Sequence, residues 1–199
     1  MMNTELLPKN FFRDNTLDEM SVPLFAQFFM TAYFDDKVHN AISESLEGIM
    51  DPERKAKIKE EQEKISRLET GEEVVKFIRG DYDVLNQTLL CKKALTMQAE
   101  VMPPLLRRFK TSLQDRVTEV TVYILGHAER EYVDQLIEMY SEIRSPYAQS
   151  MACLALGVQK REDELPFLLR EYERFKREYP AKRYCQGPLL AIYILHGKA

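Results

Sequence analysis

The chain has 199 residues, with 28 basic against 32 acidic side chains and a formal net charge of −4 at neutral pH. Hydrophobic residues make up 45% and charged residues 30%, a balance typical of a folded globular domain, which excludes a disordered or collagen-like chain. The acidic balance and the absence of tryptophan argue against a dedicated nucleic-acid binder, because binding to phosphates normally requires a basic face.

The N-terminus and the cysteines indicate the compartment. The first residues include an acid and a proline where a secretory signal would need a basic start and an apolar core. Cys91, Cys153 and Cys185 are widely spaced and form no C-x-x-C motif, which argues against a zinc knuckle or a disulfide framework. The longest apolar stretch has 13 residues, fewer than the roughly 20 that a membrane-spanning helix needs. We therefore expect a cytoplasmic protein with reduced thiols and no membrane span.

Residues 1–70 are predicted to form N-terminal capping helices. Val22–Phe34 is apolar at 10 of 13 positions, so a helix there must be covered on more than one side. With Val38–Met50, we interpret it as the closure of a stack of helices; it could instead fill the groove of that stack, lie on a membrane or bind a partner. Asp51 and Pro52 then predict the start of a charged helix, because Asp caps helices and Pro suits the first turn. We interpret it as a solvated surface helix rather than a coiled-coil or partner helix.

Two kinds of segment recur in the second half of the chain. Paired aliphatic residues begin at Leu105, Leu136 and Leu168, 31 and 32 residues apart, and Gly126 and Gly157 are again 31 apart. Each unit predicts a helical hairpin whose second helix ends at the glycine, which accepts a left-handed backbone. We predict repeats at 101–126, 132–157 and 164–197, after a degenerate repeat at 72–98. One such pair cannot bury its apolar face alone, so neighbouring pairs must stack.

The recurring segments VTEVTVYILG (Val117–Gly126) and AQSMACLALG (Ala148–Gly157), each followed by a short acidic loop and a leucine-containing helix, resemble the short HEAT-like repeat of the phycobilin-lyase type. The resemblance covers about residues 101–197. It implies one all-α domain, a right-handed α-α superhelix of HEAT-like or armadillo-like helix pairs. Tetratricopeptide repeats are the close alternative, but their period of about 34 and their Trp-Leu-Gly signature do not occur here.

The last unit departs from this pattern by an insertion of eight residues near Arg174–Arg183. The insertion is strongly basic. We predict an exposed extension of helix and loop, which contacts an acidic partner or has no role.

The spacing also predicts a partner-binding surface on the second helices. Val117, Val120, Thr121 and Ile124 cluster on one face of a helix and are the predicted core. The opposite positions are expected to form a ladder along the concave face, where second helices lie in solenoids of this kind. The ladder residues are Glu119, Val122, Tyr123, Ser150, Cys153, Leu154, Leu190, Tyr193 and Ile194. Because this ladder is apolar, we expect a cover: a foreign peptide or helix, or the chain's own Val22–Phe34.

Motifs for catalysis and cofactor binding do not occur in the sequence. There is no nucleophile elbow, phosphate-binding loop or dinucleotide fingerprint. The pairs Asp35/His39 and His127/Glu131 have the i, i+4 spacing of metal ligands but no third ligand nearby in sequence. Cys153 has no histidine within its repeat and is expected to be inert packing. We therefore predict no catalytic residue, no metal and no cofactor.

These observations predict a non-catalytic scaffold that binds a protein or peptide partner. We expect no nucleic-acid or membrane binding, and a monomer or weak homo-oligomer. The alternative is a HEAT-like nucleic-acid enzyme of the DNA glycosylase type. It would use the basic clusters at Arg107–Lys110 and Arg170–Arg177, the second of which is diluted by glutamates.

Overall fold

The computed structural model describes residues 7–17, 44–45 and 48–197, and all of the regular secondary structure in these ranges is helical. The helices whose bounds are described are α1 (Phe11–Asp14), α2 (Pro52–Ser66), α3 (Gly71–Ile78), α4 (Gln87–Thr96), α5 (Gln98–Phe109), α6 (Asp115–His127), α7 (Arg130–Glu138), α8 (Pro146–Val158), α9 (Leu165–Glu178) and α10 (Gln186–Leu195). The predicted all-α class is confirmed. The predicted capping segments Val22–Phe34 and most of Val38–Met50 lie outside the described residues.

Helix α2 begins where the sequence predicts and is a surface helix. The Asp51 carboxylate accepts a hydrogen bond from the backbone N–H of Arg54 at 2.9 Å, and Pro52 occupies the first turn. Two apolar side chains of the helix, Ile58 and Ile65, are buried. Exposed ion pairs one turn apart, such as Lys64–Glu60 at 2.7 Å, cover its outer side and contribute little to stability. The outer side of α2 is thus exposed and carries ion pairs, as the interpretation as a surface helix expects.

The remaining helices form four consecutive pairs: α3 with α4, α5 with α6, α7 with α8, and α9 with α10. Each second helix contacts the second helix of the next pair, so that α4, α6, α8 and α10 follow one another. The first helices α3 and α5 also contact each other. The hydrophobic core runs through all four pairs, and helices α6 and α8 are buried over most of their length because they have packing neighbours on several sides.

Polar contacts join equivalent places in successive pairs. The side chain of Gln98, at the start of α5, exchanges two hydrogen bonds of 2.8 and 3.0 Å with Glu129, which precedes α7 and lies 31 residues further on. Arg130, the first residue of α7, contacts Asp163, which precedes α9, at 2.7 Å over 33 residues. The ends of the first helices are thus linked by contacts that follow the period of the sequence.

The repeated glycines have a different role from the one predicted. Gly126 and Gly157 are the next-to-last residues of α6 and α8, and neither has a positive φ. The described residues with positive φ are Lys160, after α8, and Gly197, after α10. A Cβ atom on Gly157 would lie 2.7 Å from the Cα of Ala191 in α10. The glycine is therefore needed for the close approach of two helices rather than for a left-handed backbone.

The basic insertion lengthens α9 and the loop after it. Lys176, Arg177, Lys182 and Arg183 are exposed, as expected. Arg174 is instead half-buried, because its guanidinium donates to Glu171 of the same helix and to Gln149 of α8. The insertion thus consists of the C-terminal end of α9, where Arg174 is half-buried, and an exposed loop after it.

Candidate functional site

Most of the predicted concave ladder lies in the core. Six of its residues are buried: Val122, Tyr123, Ser150, Cys153, Leu154 and Leu190. The other three, Glu119, Tyr193 and Ile194, are half-buried. The predicted core face is also buried, so α6 is covered nearly all round. The expectation of a water-facing ladder is corrected accordingly: in this conformation these six side chains offer no surface to a partner.

The N-terminal segment Leu7–Leu17 covers the end of the ladder at Tyr193. The Tyr193 hydroxyl donates to the backbone carbonyl of Asn15 at 2.9 Å, and the rings of Tyr193 and Phe12 meet edge-on with centroids 4.8 Å apart. The Tyr172 hydroxyl of α9 donates to the Asn15 side-chain oxygen at 2.6 Å. The chain therefore covers Tyr193 itself, through a segment that precedes the predicted cover Val22–Phe34.

Cys153 belongs to a buried polar network and not to a nucleophilic site. Its sulfur lies 3.8 Å from the Tyr140 hydroxyl, which donates to the carboxylate of Glu171 at 3.0 Å. Glu171 is paired with Arg174 at 2.6 Å. Burial raises the pKa of the Cys153 thiol to about 12, so it remains protonated at neutral pH and is a poor nucleophile. The network links the short turn after α7 to α8 and α9 and is a structural contact.

His127, a candidate metal ligand, is the last residue of α6 and does not lie in a loop. Its ring stacks on Tyr123 at 4.2 Å, and its Nδ1 lies 2.9 Å from the Tyr123 carbonyl oxygen, to which it donates. Burial lowers the pKa of His127 and so favours the neutral ring. Within residues 7–17, 44–45 and 48–197, no group of three or more His, Cys, Asp or Glu side chains could hold a metal ion. The other candidate pair, Asp35 and His39, lies outside the described residues.

An open groove lies at the C-terminal ends of α3 and α5. It consists of two adjoining cavities of about 310 and 270 Å³ that share Arg79, Arg108 and Thr111. We call it the basic groove. Its full lining is Glu72, Val75, Lys76, Arg79, Pro104, Arg107, Arg108, Thr111, Ser112, Leu113, Gln114 and Val117.

The first cavity of the basic groove carries an excess of positive charge. Four cations line it, and Glu72 is the one carboxylate among its described lining residues. Glu72 lies 3.8 Å from Arg107, a distance at which an exposed pair interacts weakly. Within the described part of the chain, Arg79 and Arg108 have no carboxylate at ion-pair distance. Both guanidiniums are exposed and therefore available to an anionic ligand.

The second cavity adds an apolar surface. Leu113, in the loop between α5 and α6, is 81% exposed and lines the second cavity with the two shared arginines. A large aliphatic side chain that is this exposed to solvent favours contact with another apolar group. The hydroxyl and amide groups of Ser112 and Gln114 complete the polar rim.

Comparison of the chain with protein-family models, with curated proteins and with solved structures gives no match. No helix in the described ranges is long and apolar enough to cross a membrane. The geometry of the chain itself therefore carries the functional argument.

Sequence reasoning found only part of the basic groove. It identified the basic cluster at Arg107–Lys110 but not Lys76 or Arg79, which lie on the preceding helix. The sequence contains a signal for this pairing, because Arg79 precedes Arg108 by 29 residues, close to the period of 31 residues between repeats. Stacking of successive first helices brings these two positions to the same edge.

Proposed function

We propose that the protein is a non-catalytic helical-repeat scaffold that binds a protein or peptide partner, and that its helix pairs stack as HEAT-like repeats into a right-handed superhelix. The stacking of the second helices and the contacts of Gln98 with Glu129 and of Arg130 with Asp163 support the repeat interpretation. Each pair needs its neighbours to bury its apolar face, which is the property of a solenoid.

The basic groove is the observation that carries the functional proposal. Arginine is the residue most often used to bind carboxylates at protein interfaces, and exposed leucine beside it supplies an apolar contact. The groove combines both, with Arg79 and Arg108 free of acidic partners among the described residues and Leu113 exposed. We therefore propose that the partner binds at the edge formed by α3 and α5, and not at the buried ladder. The cytoplasmic location and the monomeric or weakly oligomeric state stay predictions.

Site-specific photo-cross-linking in a lysate of the native host tests this function. A photoreactive amino acid at Leu113 should give protein adducts that are lost in the double variant Arg79→Ala/Arg108→Ala. The same amino acid at Lys59, exposed on α2 and outside the groove, is the matched control and should give none of these adducts.

The nature of the adducts separates the two functional hypotheses. Protease-sensitive adducts specific to Leu113 support the scaffold. Adducts that nuclease removes would support the nucleic-acid enzyme instead, and the absence of any adduct specific to Leu113 would contradict a binding role for the groove.

A further inference from the structure

We propose that the basic groove recognises an acidic protein segment in which carboxylate side chains alternate with apolar ones, the carboxylates binding Arg79 and Arg108 and an apolar side chain packing on Leu113. This inference rests on the proposed scaffold function and names the chemistry of its partner.

The two shared arginines define where the carboxylates bind. Arg79 follows the last turn of α3 and Arg108 lies in the last turn of α5, and both line both cavities. Their guanidiniums therefore border one continuous path and come from successive repeats. A planar guanidinium binds a carboxylate through two parallel hydrogen bonds, so two arginines along this path can hold two acidic residues of one segment. Lys76 adds a third positive charge on the same side.

The apolar part of the groove lies next to these charges. Leu113 extends from the loop between α5 and α6, and the largely buried Val117 lies below it. An aliphatic side chain of a bound segment that packs here would remove Leu113 from water, which favours binding. The combination requires a ligand with both carboxylate and aliphatic groups, which a protein segment has.

The same lining disfavours nucleic acid. Among the described residues that line the two cavities none is aromatic, so a single strand would have no surface on which its bases could stack. Glu72 places a negative charge on the wall where a phosphate backbone would run. The net charge of −4 also opposes long-range attraction of a polyanion.

Fluorescence anisotropy with the full chain and defined probes tests the inference. The probe is a fluorescein-labelled peptide of sequence Glu-Glu-Leu-Glu-Glu-Leu-Glu-Glu. We expect saturable binding that weakens as salt is added, because the charges are exposed and screened. The double variant Arg79→Ala/Arg108→Ala should lose about five- to tenfold in affinity, and Leu113→Ser about threefold.

Matched controls separate the groove from general electrostatics. The double variant Lys59→Ala/Arg67→Ala removes the same charge from two exposed positions, one in α2 and one directly after it, and should bind as the wild type does. The peptide with every Glu replaced by Gln should not bind. The peptide with every Leu replaced by Ser should bind more weakly than the original peptide. Circular dichroism establishes that each variant is folded.

Three results would overturn the inference. They are binding of oligothymidylate in preference to the acidic peptide, equal loss of affinity in the groove and control double variants, and no binding of the acidic peptide by the folded protein. If protein adducts still form at Leu113 in the cross-linking experiment, the scaffold function stands and only the acidic class of partner is wrong.

Discussion

A methyl group added at Gly157 tests the close approach of α8 and α10. The new Cβ would lie 2.7 Å from the Cα and 3.0 Å from the Cβ of Ala191. Carbon atoms prefer about 3.5–4.0 Å, so the helices would have to part by about 1 Å. Because the nearest atom belongs to the backbone, no rotamer change can relieve the overlap.

The expected loss of stability follows from two opposing contributions. Alanine is favoured over glycine inside a helix by about 1 kcal/mol. Overpacking in a close-packed core costs about 1–3 kcal/mol, and here the whole interface between α8 and α10 is strained. The two contributions together give a loss of about 0–2 kcal/mol. Because the overlap is with backbone atoms, we expect Gly157→Ala to lie in the upper half of this range, at about 1–2 kcal/mol.

Gly126→Ala is the matched control, since Gly126 lies 31 residues earlier and also inside a second helix. Its Cβ would lie 3.0 Å from a terminal methyl carbon and 3.1 Å from the Cβ of Val158, so a shift of a few tenths of an ångström at the end of α8 is enough to admit it. We expect its free energy of unfolding to stay within about 0.5 kcal/mol of the wild-type value. Urea unfolding followed by far-UV circular dichroism measures both. A Gly157→Ala protein as stable as the Gly126→Ala protein would refute the close-approach role.

Three further predictions concern single polar groups. Glu119→Gln should raise the free energy of unfolding at pH 7, because burial raises the pKa of this carboxyl and so penalises its charged form. The gain should vanish below pH 4.5, the ordinary pKa of the group. An equal gain at acid pH would contradict this. Arg161→Met should lose less stability than the wild type when the pH is lowered. The hydrogen bond from Arg161 lowers the pKa of Asp163, so the wild type loses this stabilisation as the pH falls through a value below 3.8. Parallel plots of the free energy of unfolding against pH for the two proteins would contradict this. Tyr193→Phe removes the hydroxyl that donates to the segment Leu7–Leu17. Trypsin should therefore cleave after Arg13 faster than in the wild type. An unchanged cleavage rate would show that this hydrogen bond does not hold the segment.

The all-α class was predictable from the sequence, because the apolar spacing in the segments that recur every 31 residues matches one helix face. The cap at Asp51 was also predictable, since its role depends on neighbouring residues alone. The role of Gly157 was not, because a glycine at a repeated position is equally consistent with a left-handed turn and with a close helix contact.

The candidate site was harder to predict because it depends on contacts between repeats. The helical periodicity of each second helix assigned Val122 and Cys153 to the concave face, although their helices are apolar nearly all round and therefore buried. The groove needs Arg79 and Arg108 from different helix pairs, and no local pattern joins them. The contact of Tyr193 with Phe12 spans most of the chain and leaves no periodic signal.

A nuclear magnetic resonance titration of the labelled protein with the Glu- and Leu-containing peptide tests the central claim most directly. If the scaffold binds its partner through the basic groove, backbone amide shifts should change at 72–79 and 107–117, at the edge formed by α3, α5 and the loop that follows α5. Shift changes centred on α9 and α10, or none at saturating peptide, would contradict it.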